Sequence, residues 1–155
     1  LTSVGESTPS ITTIGNDTQT RNISLPIMRA GESRTFQLII PLPAMPSLLT
    51  NSEGIGPTAK IGFVSRPGDR VQFQATLNVA NVPMGATVTA SKVTPQARAP
   101  GSQLFAGPTL PGGQAFTTFS ALVSITLLAS QATSAGSLAV TVNGTVTLQL
   151  GQGQT

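Results

Sequence analysis

Leu138 to Leu150 (LAVTVNGTVTLQL) alternates apolar and polar residues for thirteen positions. Leu138, Val140, Val142, Gly144, Val146, Leu148 and Leu150 share one side, and Ala139, Thr141, Asn143, Thr145, Thr147 and Gln149 share the other. A period of two predicts a half-buried strand. Asn143-Gly144 is a hairpin dipeptide, but the alternation keeps its phase through it, so one unbroken strand is expected. Arg70 to Ala80 alternates in the same way, with Val71, Phe73, Ala75, Leu77 and Val79 on one face. Shorter runs predict strands at Asn22–Ile27, Arg34–Ile40, Lys60–Val64 and Ala86–Val93. Ala115 to Ala129 predicts a long strand or a bent pair.

Turn chemistry separates these runs. Ala30-Gly31-Glu32-Ser33, Pro83-Met84-Gly85 and Gln131–Gly136 read as reversals. Arg66-Pro67-Gly68-Asp69 places Pro and then Gly at the central positions of a type II turn. Pro41, Pro43 and Pro46 exclude a central strand or a helix interior. Residues 44–57 read as a long connection with a short helical turn at Pro46–Thr50, and 94–114 as loops. Residues 1–20 are Ser/Thr-rich and weakly patterned, an N-terminal arm or edge segment; residues 21–155 form a single domain. Seven or eight strands with Pro/Gly loops and no helical period predict an all-β fold, an antiparallel β-sandwich of the eight-stranded jelly-roll kind.

Composition narrows the chemistry. The chain has no Cys, His, Trp or Tyr. That removes thiolate nucleophiles, disulfides, the usual zinc ligands and the usual general base near neutral pH. Glu6, Asp17, Glu32, Glu53 and Asp69 are widely spaced and form no paired carboxylate motif. Ser91-Lys92 is no dyad, because adjacent strand residues face opposite ways. The Gly-rich stretches at 111–113 and 151–153 lack the Lys-Ser/Thr pair and helix of a phosphate loop. We therefore expect no enzyme, no cofactor, no metal and no small-molecule substrate.

Net charge is +3, from eight basic and five acidic side chains. The basic residues stand singly, with no run that marks a nucleic-acid arm. All lie before residue 99, leaving an uncharged last third. A large neutral face suits a surface covered by neighbours. No apolar stretch reaches the roughly 20 residues that span a bilayer. The chain begins Leu1-Thr2-Ser3 rather than with Met. Leu is not the usual product of initiator-Met removal, so the expectation is a start that has lost a secretory signal or an arm.

Two groups of residues are candidate contact or modification sites. Arg66 and Arg70 flank the Asp69 turn. They read either as an exposed turn with local charge pairing or as a contact with a partner subunit or RNA phosphate. Asn16, Asn22 and Asn143 head N-x-[ST] sequons, glycosylation candidates if the chain is secreted.

Three stretches carry a resemblance: Ser24 to Leu38 (SLPIMRAGESRTFQL), Val71 to Pro95 (VQFQATLNVANVPMGATVTASKVTP) and Val123 to Leu150 (VSITLLASQATSAGSLAVTVNGTVTLQL). In order they are similar to the first two strands, the central strand with its following turn and strand, and the last two strands of the coat proteins of small icosahedral plant viruses, the tymovirus type in particular. They cover under half of the chain, which lacks the tryptophan and cysteines expected in that family's middle strands. The resemblance implies a jelly roll, many copies per shell, an inner face toward RNA and no catalytic residue.

The leading expectation is thus a self-assembling coat subunit in a virion, its partners many copies of itself and an RNA genome. The alternatives are a secreted, cell-surface fibre or pilus subunit built by donor-strand exchange, with residues 1–20 completing a neighbour's sheet, and a phage decoration protein.

Overall fold

The thirteen-residue alternation becomes one strand, which begins two residues earlier and ends at Gln149. The computed structural model describes residues 11–50, 62–101 and 103–151. They form ten strands: β1 (Ile11–Leu25), β2 (Ser33–Pro41), β3 (Ser47–Thr50), β4 (Gly62–Ser65), β5 (Arg70–Ala80), β6 (Ala86–Arg98), β7 (Leu104–Ala106), β8 (Thr109–Leu110), β9 (Thr118–Ala129) and β10 (Gly136–Gln149). β10 passes through Asn143-Gly144 without a turn.

The strands build two four-stranded sheets, β1-β10-β5-β8 and β2-β9-β6-β7, plus a small parallel pair, β3 and β4. Leaving that pair aside, the chain is one long nested hairpin. Its tip is the β6–β7 connection, and its antiparallel partners are β6 with β7, β5 with β8, β2 with β9 and β1 with β10. Winding such a hairpin around a barrel brings β10 beside β5 and β9 beside β6, which are the remaining pairs. This winding is the jelly roll: two packed sheets with every neighbour antiparallel.

The core lies between the sheets. Alternate residues of β9 (Phe119, Ala121, Val123, Ile125, Leu127 and Ala129) are buried, as are Leu138, Val140, Val142 and Val146 of β10. Phe73 of β5 meets Phe119 across the sandwich edge-to-face, centroids 5.2 Å apart. Gly144 faces this core. A Cβ there would lie 2.7 Å from Leu42 and 3.2 Å from Phe73, so glycine makes room for the loop after β2.

The type II turn is formed as read: Gly68 has φ 96° and the Asp69 N–H donates to the Arg66 carbonyl. Several expectations are corrected. Pro46–Thr50 is no helical turn; Ser47–Thr50 is extended, because Leu48 exchanges backbone hydrogen bonds with Phe116 and the segment pairs with β4. Residues 94–114 are not all loop, since β6 continues through Pro95 to Arg98, and β7 and β8 follow. Pro95 is tolerated because it stands at the last rung beside β7: its carbonyl accepts the Gly107 N–H at 2.7 Å, and only the return bond from its missing N–H is lost. The first strand already runs at Ile11 rather than from near Arg21, so residues 11–20 take the edge-segment form of the two expected for the N-terminal stretch. Residues 1–10, 51–61 and 152–155, with parts of the expected arm, long connection and Lys60–Val64 strand, lie outside the described residues.

The uncharged last third is not one face either. β9 and β10 are inner strands of opposite sheets, so their residues divide between the core and two opposite outer surfaces. Much of their neutrality is the ordinary neutrality of a core.

Candidate assembly surfaces

The two sheets present broad outer faces almost without charge. On the first sheet, β1, β10 and β5 align in rows: Asn16–Thr145–Gln74, Thr18–Asn143–Thr76 and Thr20–Thr141–Asn78. Their short side chains bond one another. Asn16 Nδ2 donates to Thr145 Oγ1 (3.0 Å), Asn143 Nδ2 donates to Thr18 Oγ1 (2.7 Å), and the Thr20 and Thr141 hydroxyls lie 3.1 Å apart. Cross-strand Thr and Asn pairs of this kind stabilise a sheet and fix its surface side chains. On the second sheet the rows are Thr35–Thr126–Ala90, Gln37–Ser124–Lys92 and Ile39–Leu122–Thr94. Lys92 is the single charge in those rows, and Ile39 is 62% exposed.

Charge collects at the two ends of the sandwich. β5 and β6 are joined by the short turn at Pro83-Met84-Gly85, so the start of β5 and the end of β6 share the opposite end. That end carries Arg66, Arg70 and Arg98, all exposed. Arg98 joins the two arginines that the turn motif points to. Its signal was available: it stands about as far after the β5–β6 turn as Arg70 stands before it.

Asp69 does not pair with the arginines through its side chain as an open turn would suggest. It is buried, and its carboxylate accepts the Arg66 N–H at 2.9 Å and the Gly151 N–H at 3.0 Å. The Gly113 N–H donates to the buried Ser65 hydroxyl at 3.1 Å. The β4–β5 turn, the β8–β9 loop and Gly151, two residues past β10, are thereby held as one unit, from which Arg66 and Arg70 project.

The other end holds Arg29, Glu32 and Arg34. Arg34 Nε lies 2.6 Å from Glu32 Oε2, and the Arg29 N–H donates to Glu32 Oε1 at 2.9 Å. The Arg29 N–H first, then the Arg34 guanidinium, hold the Glu32 carboxyl below its ordinary value. Beside this turn a groove of about 440 Å³ is lined by Leu25, Asn81, Pro83, Met84, Gln131 and Ala135 among others, and Met84 is 92% exposed at its rim.

All three sequon asparagines lie on the outer face of the first sheet. Asn16 and Asn22 are exposed on β1, whereas Asn143 sits in inner strand β10 and is bonded to Thr18 and Asn16. A glycan on Asn143 would have to break those bonds; one on Asn22 would meet open solvent. Among the described residues no group of three or more acidic side chains could hold a metal ion, and no helix is long and apolar enough to cross a membrane. The chain matches no family model, no curated protein and no solved structure.

Proposed function

We propose that the chain is a structural protein, a coat subunit that assembles in many copies into an icosahedral viral shell around an RNA genome. The observation that carries this reading is the combination of a jelly-roll winding with two nearly uncharged outer faces. Soluble monomers keep charge spread over their surface. Among the described residues the outer faces carry only Lys92, the other charges lying at the two ends and at Asp17 and Arg21 on the inward side of edge strand β1, and the sides offer small hydroxyl and amide groups that pack closely. An interface of this kind draws on area and complementarity rather than ion pairs. Arg66, Arg70 and Arg98 make one end the better candidate for phosphate.

The test is negative-stain electron microscopy with light scattering on the purified, nuclease-treated protein. Closed particles of uniform diameter are expected. Long filaments would favour the strand-donating fibre, and a stable monomer would remove both. For the RNA contact, the expected result concerns R66Q/R70Q. Loss of two phosphate contacts lowers the slope of log affinity for single-stranded RNA against log salt by about 1.4. An unchanged slope would leave Arg66 and Arg70 with no role in binding.

A further inference from the structure

We propose that two copies pair through the free edge of β1, antiparallel about a two-fold axis at Gln19, to join their first sheets into one. This deepens the assembly reading by naming one interface, and it rests on that reading only for what the dimer goes on to build.

β1 is the longest strand of the fold, fifteen residues, and it lies at the edge of its sheet. Among the described residues its only strand partner is β10, and apart from the Thr20 carbonyl, which accepts the Arg21 guanidinium, no bond covers its second edge. Free edges of this length are usually blocked by Pro, Lys or an inward charge. β1 has no Pro or Lys, and its outward side chains between the bulge at Thr13/Gly15 and Leu25 are Asn16, Thr18, Thr20, Asn22 and Ser24. It does carry inward charge, but of both signs. Gly15, Asp17, Gln19, Arg21 and Ile23 share the core-facing side.

The placement of those charges selects the register. In an antiparallel pair centred on Gln19, residues whose numbers sum to 38 stand opposite each other. Asp17 then faces Arg21 of the second copy, and Arg21 faces its Asp17. A lone inward charge would repel an identical strand; an opposite pair set symmetrically about one residue attracts it. The same register puts Thr18 opposite Thr20 and Asn16 opposite Asn22 on the outer side, and Gly15 opposite Ile23 within. Every face is kept, as pairing demands. A centre at Thr20 would also keep the faces but would set Asp17 opposite Ile23 and Arg21 opposite Gln19, with no charge matched.

The existing contacts leave room for this pair. Asp17 accepts the Ala44 N–H at 2.9 Å and the Gln19 amide at 3.1 Å, and an ionised carboxylate has about four acceptor sites. Arg21 reaches only Gln19 Oε1 and the Thr20 carbonyl through one nitrogen, Nη1. A two-fold contact of this kind is closed and isologous, so it makes dimers and not fibres. A glycan on Asn16 or Asn22 would obstruct it.

The natural absence of cysteine makes the test direct. Gln19→Cys on the full chain should form a covalent dimer under mild oxidation, with over half of the chain cross-linked. Met84→Cys, far more exposed but remote from β1, should stay tenfold lower at the same concentration. A mixture of Thr18→Cys and Thr20→Cys chains should cross-link, and each variant alone should not. Adjacent pairs in an antiparallel ladder alternate between the wide and the narrow type, so one of these two tests falls on the narrow pair that disulfides prefer. The Thr variants lie on the solvent face, so they report even if Gln19→Cys folds poorly. Arg21→Glu should weaken the uncross-linked dimer at least tenfold, and Arg21→Lys should restore most of it.

Cross-linking no greater than that of Met84→Cys in both tests overturns the proposal. So does cross-linking that disappears on deletion of residues 1–10, which would mean that those residues, and not the β1 edge and its charge pairs, hold the two copies together. Shells without the β1 cross-link would refute this inference and leave the coat reading standing. A cross-linked dimer that forms no shell would do the reverse.

Discussion

Phe73→Ala is expected to lower stability by about 3–5 kcal/mol, measured as a shift in the urea midpoint at unchanged slope. Phe73 is fully buried and is one of the largest side chains of the core. Its ring meets Phe119 edge-to-face, approaches the Gly144 backbone, and belongs to the strand register between Val146 and the core. Its own N–H is fixed by the Pro108 carbonyl at 2.7 Å, so the backbone cannot move far to close the void. The expected cost therefore lies toward the upper part of the range for large-to-small core changes. Phe63→Ala provides the contrast. Phe63 is 40% exposed on β4, outside the two main sheets, and its loss should cost under about 1 kcal/mol. Equal costs at the two sites would mean that the sandwich interior is not the main source of stability.

That contrast also marks what the sequence could and could not convey. Both phenylalanines stand in apolar strand runs, and alternation alone treats them alike. It located β5 and β10 well, because each is half-buried with an uninterrupted period of two. It missed the start of β1, since Asp17, Gln19 and Arg21 occupy core-facing positions and break the apolar pattern that would have announced the strand. It placed a loop over the end of β6, because Pro95 signals a break unless the neighbouring strand is known to stop beside it. It reads Pro46–Thr50 as a helical turn, since the partners that hold Ser47–Thr50 extended, β4 and Phe116, come from distant parts of the chain. The candidate site was legible in parts. Arg66 and Arg70 are visible from their turn, whereas Arg98 joins their end only by counting back along the strand after the Pro83-Met84-Gly85 turn. The neutrality of the last third was plain in the sequence, yet its division between core and two outer faces required the topology. The self-complementary spacing of Asp17 and Arg21 carries no signal until β1 is known to be an edge.

Asp69→Ala is the second large effect expected, about 3 kcal/mol. The reason is different in kind from that for Phe73, since almost no apolar area is involved. The Asp69 side chain holds two backbone N–H groups, those of Arg66 and Gly151, in a site where Asp69 itself is 7% exposed. Removing the carboxylate leaves both donors without their acceptor, and each such loss costs about 1–3 kcal/mol when water cannot replace it. Relaxation is restricted on the other side as well. Gly112 packs so closely that a Cβ would stand 2.6 Å from both the Arg66 and Asp69 carbonyl oxygens, and the Gly151 backbone lies directly against Gly68. Asp69→Asn keeps one acceptor oxygen and should cost about half as much. Hydrogen exchange distinguishes this local account from a general loosening. The amides of Arg66 and Gly151 should lose protection in Asp69→Ala well before those of Val140 or Val142 in β10. The same variant separates the two ends of the proposed function. It should disorder the turn that carries Arg66 and Arg70 and so weaken any RNA contact there. Pairing through β1 depends on Asp17 and Arg21 and should persist. Loss of both together would mean that the end carrying Arg66 and Arg70 is coupled to the β1 edge and takes part in assembly.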